Sequence, residues 1–73
     1  MDPAACLTRC DQAISDCDLH EAADALADYR LWRSRGGFEP NDVHGKRGDK
    51  FADECARRID DQHRSRHDEN QDA

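Results

Sequence analysis

Residues 19–35 run from Leu19 to Arg35 without a glycine or proline and stop at Gly36-Gly37. No other stretch joins strong helix formers, an amphipathic repeat and two large aromatics, Tyr29 and Trp32, so the rest of the fold must be assembled on it. At about 100° per residue, Leu19, Ala22, Ala23, Leu26, Tyr29 and Arg33 share one side of a helix, with Ala25 and Trp32 on its flank and most of the acids elsewhere. Asp18, followed three residues later by Glu21, reads as a capping box at the start. Arg30, Arg33, Arg35 and the glycine pair suit a C-terminus.

Little material is available to cover this helix. The chain has 73 residues, 36% of them hydrophobic and 5% aromatic. Leu7, Ile14, Leu19, Leu26, Tyr29, Trp32, Phe38, Phe51 and Ile59 are nearly all its bulky apolar residues. A domain this small buries only about 60% of the surface its unfolded chain exposes, so an enclosed active-site cavity is not expected. The chain therefore reads as non-enzymatic and without a cofactor. Its net charge of −6 opposes direct contact with nucleic-acid phosphates and favours a basic protein partner, although arginines cluster at 30–35 and along 57–66. The N-terminus lacks the charged and apolar regions of a secretory leader, and no apolar run approaches the roughly 18 residues of a membrane span. The expectation is a cytoplasmic protein with no membrane contact. In that compartment the four cysteines would stay as thiols.

Taken in order, Asp2-Pro3 supplies an N-cap and a proline at the first helical position. Leu7, Cys10, Ile14 and Cys17 then form a narrow apolar seam widened by Cys6 and Ala13. This seam is centred roughly 120° from the stripe through Leu19, Ala22 and Leu26, so one straight helix would serve a single core poorly. A break at Ser15-Asp16-Cys17-Asp18 and an antiparallel helix pair follow. Residues 36–48 hold all four glycines and one of the two prolines and read as a long loop, with Phe38 pinning it to the core. Asp49 is the expected N-cap of a third helix whose apolar side is Phe51, Ala52, Cys55, Ala56 and Ile59. The predicted fold is all-α, a small three-helix domain with helices near 3–16, 19–35 and 49–65 and one long Gly/Pro-containing loop. It forms a single domain over residues 1–67, followed by a disordered acidic tail at 68–73.

Several constellations invite chemistry. Cys17 and His20, His63 and His67, and Cys6 and Cys10 have spacings compatible with zinc ligation. However, Cys6, Cys10 and Cys17 coincide with the apolar seam, where a thiol serves as a small hydrophobe, so no metal site is assigned. Cys17 beside His20 lacks an oxyanion element for nucleophilic catalysis. Gly45-Lys46-Arg47-Gly48 lacks the spacing of a phosphate-binding loop. A helix-turn-helix reader built from the first two helices would present Leu19, His20, Glu21 and Asp24 to DNA, and the acids oppose the phosphates. A small zinc-binding or DNA-binding regulator is thus the alternative rather than the leading reading.

The segment Leu26-Ala27-Asp28-Tyr29-Arg30-Leu31-Trp32-Arg33-Ser34-Arg35-Gly36-Gly37-Phe38-Glu39-Pro40 resembles one found in short helical proteins of phages and prophages, with Tyr and Trp three apart before Gly-Gly-Phe. The resemblance covers about a fifth of the chain and implies a phage or mobile-element origin. Anti-CRISPR inhibitors of that origin are similar in being small, mostly non-enzymatic and often acidic. The functional expectation is an inhibitor that binds a host protein complex handling nucleic acid, in the host cytoplasm. Its contact residues would be Asp11, Asp16, Glu21, Asp24 and Asp28, with Asp18 beside them, and the aromatics Trp32 and Phe38. Leu31 and Trp32 exceed what three short helices can cover, so a homodimer is also expected.

Overall fold

A computed structural model describes the backbone of residues 2–72 and the side chains of residues 2–64. It is all-α, with α1 spanning Pro3–Ser15, α2 Leu19–Ser34 and α3 Gly48–Asp72. Extended Asp2 caps α1, its carboxylate accepting from the N–H groups of Ala4 and Ala5 at 3.1 and 3.3 Å. The helix ends in a Schellman motif: Cys17 N–H donates to Ile14 O at 3.0 Å and Asp18 N–H to Ala13 O at 2.8 Å. Closing that motif places Cys17 in the left-handed region at φ 60°. Cys17 was expected on the buried seam and is instead exposed, because the turn that satisfies the last carbonyls of α1 swings it out of helical register.

Asp18 then caps α2, accepting from Glu21 N–H at 3.1 Å. A second Schellman motif ends α2, with Gly36 at φ 88° and Gly37 N–H donating to Trp32 O at 2.9 Å. The helices run antiparallel: the Cys6 thiol donates to Ala25 O at 3.0 Å and the Cys10 thiol to Ala22 O at 3.2 Å, so rising numbers on α1 meet falling numbers on α2. These close approaches settle which side of α2 is buried. Ala22, Ala25, Leu26 and Tyr29 enter the core, whereas Ala23, expected on the stripe, is exposed. The stripe is turned toward Ala25 because α1 docks there with small thiols rather than large side chains.

The loop is held by Pro40 and Val43, both buried, and not by Phe38, which is 64% exposed. Val43 and Lys46 exchange backbone hydrogen bonds at 2.7 and 3.1 Å around His44 (φ 53°) and Gly45 (φ 82°), the signature of a type I′ turn. That turn aims Val43 inward and stacks the His44 ring on Phe51, with centroids 5.6 Å apart. Asp49 is not the N-cap of α3. Its own N–H is capped from the loop by Glu39 Oε2 at 2.9 Å, and its carboxylate faces α2. Phe51, Ala52 and Cys55 are buried against α1 and α2, and Ala56 and Ile59 pack on the edge of the core. α3 runs parallel to α1, as the Asp11–Arg58 pair shows together with the Thr8–His44 contact near the other end. It continues past residue 65, since no glycine or proline follows Gly48 and Arg64 pairs with Asp60 one turn earlier. The expected tail at 68–73 lies outside the residues whose side chains are described.

Candidate interaction surface

The seven residues assigned to a contact surface do not form one patch. Glu21, Asp28 and Trp32, at spacings of seven and four, line one edge of α2, and Asp24 stands beside them. Arg9 of α1 lies between two of these acids, 2.9 Å from Glu21 and 3.2 Å from Asp28. Asp24 stands 3.6 Å from His20, one turn earlier, and among the described residues no Lys or Arg pairs with it. Asp11 points the other way, into the α1–α3 seam, where Arg58 neutralises it. Asp16 sits at the end of α1, accepting from Gln12 at 3.3 Å, and Asp18 is used as a cap. The negative edge is therefore Glu21, Asp24 and Asp28, carrying one interleaved cation.

Beyond Asp28 this edge ends in an aromatic pair. The Trp32 indole N–H donates to Phe38 O at 3.1 Å, and the two rings meet edge to face with centroids 5.7 Å apart. The indole lies so flat on Gly37 that a Cβ added there would fall 2.3 Å from it. Arg33 reinforces the arrangement by donating to Gly37 O at 2.8 Å and forking onto Asp49 with bonds of 3.0 and 2.9 Å. Asp49 also accepts from the Tyr29 hydroxyl at 2.8 Å. Arg33, then Tyr29, hold the Asp49 carboxyl below its ordinary pKa, while burial and the neighbouring carboxylate push the Tyr29 phenol up. Phe38 thus projects into solvent from a braced backbone.

A third feature was only partly visible in the sequence. Ala23, Ala27, Arg30, Leu31 and Ser34 of α2 face Ala56, Ile59, Asp60 and His63 of α3 across an open groove of about 720 Å³, floored by Leu26. Leu31 is 49% exposed on its wall. The signal for it was the Ala23-Ala27-Leu31 repeat at intervals of four, which the stronger core stripe masked. A second cleft, between α1, the Val43–Lys46 turn and α3, is lined by Asp11, His44, Lys46, Glu54 and Arg58. Of its cations, Lys46 pairs with Glu54 and Arg58 with Asp11, and Arg57 lines it as well.

Cys6, Cys10 and Cys55 are buried thiols. Burial pushes Cys6 up, and the hydrogen bond shared with Cys55, then burial, push Cys10 up. Among the described residues no group of three or more His, Cys, Asp or Glu side chains is placed to hold a metal ion. Nor is any described helix long and apolar enough to cross a membrane. Comparison with family models, with curated proteins and with solved structures finds no match.

Proposed function

We propose that this chain is a non-enzymatic inhibitor that binds a basic protein surface on a host complex handling nucleic acid, an anti-CRISPR type of role in the host cytoplasm. The observation that carries the reading is the α2 edge, where half-buried Glu21 and exposed Asp24 and Asp28 lead into the braced Trp32–Phe38 pair. Asp24 and Asp28 are four residues, about 6 Å of helix rise, apart, so a row of carboxylates is offered where a nucleic-acid-binding protein expects phosphates. The aromatic pair supplies the residue types that anchor protein interfaces. Direct nucleic-acid binding is disfavoured by the net charge of −6, and six of the eleven Lys and Arg, namely Arg9, Arg33, Lys46, Arg47, Arg58 and Arg64, already engage carboxylates.

Capture from host extract, read by mass spectrometry, tests the proposal. The expected catch is a nucleic-acid-processing complex that is lost when Asp24 and Asp28 are both changed to Lys. A catch without nucleic-acid enzymes, or one indifferent to the reversal, would overturn it.

A further inference from the structure

α2 is apolar on two faces. Ala22, Ala25, Leu26 and Tyr29 face the core, and Ala23, Ala27 and Leu31 form a second stripe that lines the groove beside α3. Along this stripe the residues are related about Ala27. Ala23 precedes it by four and Leu31 follows it by four. In an antiparallel pair of α2 helices crossing at Ala27, positions summing to 54 lie level, so Leu31 of each copy would meet Ala23 of the other. A large side chain would then fill the space left by a small one, the arrangement that lets facing helices interdigitate.

The charges obey the same symmetry. α1 runs antiparallel to α2 and parallel to α3, so α3 is antiparallel to α2, and Arg33 pairs with Asp49 at the end of the groove near Ser34. Within one chain Arg30 therefore stands toward that end, while Asp60, eleven residues along α3 from Asp49, stands toward the opposite end near Ala23. Arg30 has no ion-pair partner among the described residues, and Asp60 has only the exposed Arg64, a pair of little energetic weight. The two-fold carries Arg30 of each copy to the end of the groove where the other copy's Asp60 lies. Small residues at the crossing, a large-to-small match and an opposite-charge match under one operation are what a self-complementary interface requires.

We infer that the α2–α3 groove is the seat of a second copy of this chain, packed through antiparallel α2 helices crossing at Ala27 to give a four-helix dimer of α2 and α3 from each copy. Glu21 and Asp28 lie off this seam, so the inference does not depend on the target proposed above.

Sedimentation and cross-linking test it. The intact chain is expected to sediment as a dimer across a concentration series, and Leu31→Asp as a monomer of unchanged helix content. Arg30→Asp should weaken association by about tenfold, and adding Asp60→Arg to it should restore association. With Cys17 replaced by serine, Ala27→Cys should cross-link the two copies under mild oxidation, because residue 27 of each lies on the axis, whereas Thr8→Cys on α1 should not. A monomer at every concentration would overturn the inference. So would a dimer that survives Leu31→Asp, one that fails to cross-link through residue 27, or one in which the charge swap does not restore association.

Discussion

At the scale of single residues, the N-caps of α1 and α2 were legible because their chemistry is local. Asp2, Pro3 and Asp18 act on backbone groups within three residues and do in the structure what their types imply. Phe38 and Val43 were not legible. Size favours Phe38 for burial, but the type I′ turn directs Val43 inward while the Trp32–Gly37 contact holds Phe38 out, and neither constraint shows in hydropathy. Cys17 is a non-glycine residue at φ 60°, a conformation costing about 1 kcal/mol or more for an L-residue. Cys17→Gly is therefore expected to raise stability by about 0.5–1 kcal/mol, net of the flexibility glycine adds to the unfolded chain, as read by denaturant melts. Gly37→Ala should do the reverse: its methyl meets the indole, so Trp32 must leave its position and its fluorescence should shift to the red. Leu26→Ala should cost about 2–5 kcal/mol in the same melts. Ile59→Ala should cost less, because Ile59 lies only partly covered beside the groove.

At the scale of elements, three helices and their antiparallel opening pair follow from periodicity and from the mismatch of the first two apolar stripes. The rotation of α2 toward Ala25 does not, because it depends on how closely the Cys6 and Cys10 thiols approach its carbonyls. The junction of α2, the loop and α3 also escaped the sequence. Asp49 looked like a cap and proved to be the acceptor that ties Tyr29 and Arg33 to α3, while Glu39 took over the capping from ten residues away. This junction makes a pH-dependent contribution. The folded-state pKa of Asp49 lies below its ordinary value of 3.8, so the stabilisation is present in full above that value and is lost as pH falls through the lower, folded value. Acid unfolding followed by circular dichroism should therefore show stability declining below about pH 4 in the native chain. Asp49→Asn should lower stability at neutral pH and flatten that decline, whereas an unchanged acid limb would mean that other carboxylates control it.

At the scale of the whole molecule, the net charge of −6 was read correctly as acidity, but its distribution depended on pairings between elements that no local pattern reveals. Asp11 pairs with Arg58, and Arg9 offsets part of the Glu21 and Asp28 charge, which leaves Asp24 and Asp28 as exposed acids on the α2 edge. Because this row and the Trp32–Phe38 pair adjoin, binding should divide into a part that salt screens and a remainder that it does not. Phe38→Ala should speed dissociation while leaving the encounter rate unchanged, as interface truncations usually do, and surface plasmon resonance against the captured target would show this. The central claim, that the acidic edge of α2 is the contact surface, is tested most directly by titrating salt against affinity for that target. Affinity of the native chain should fall steeply as salt rises, and with Asp24 and Asp28 both changed to Lys it should be abolished at low salt with helix content retained. Binding by the doubly reversed chain at low salt as tight as that of the native chain would contradict the account.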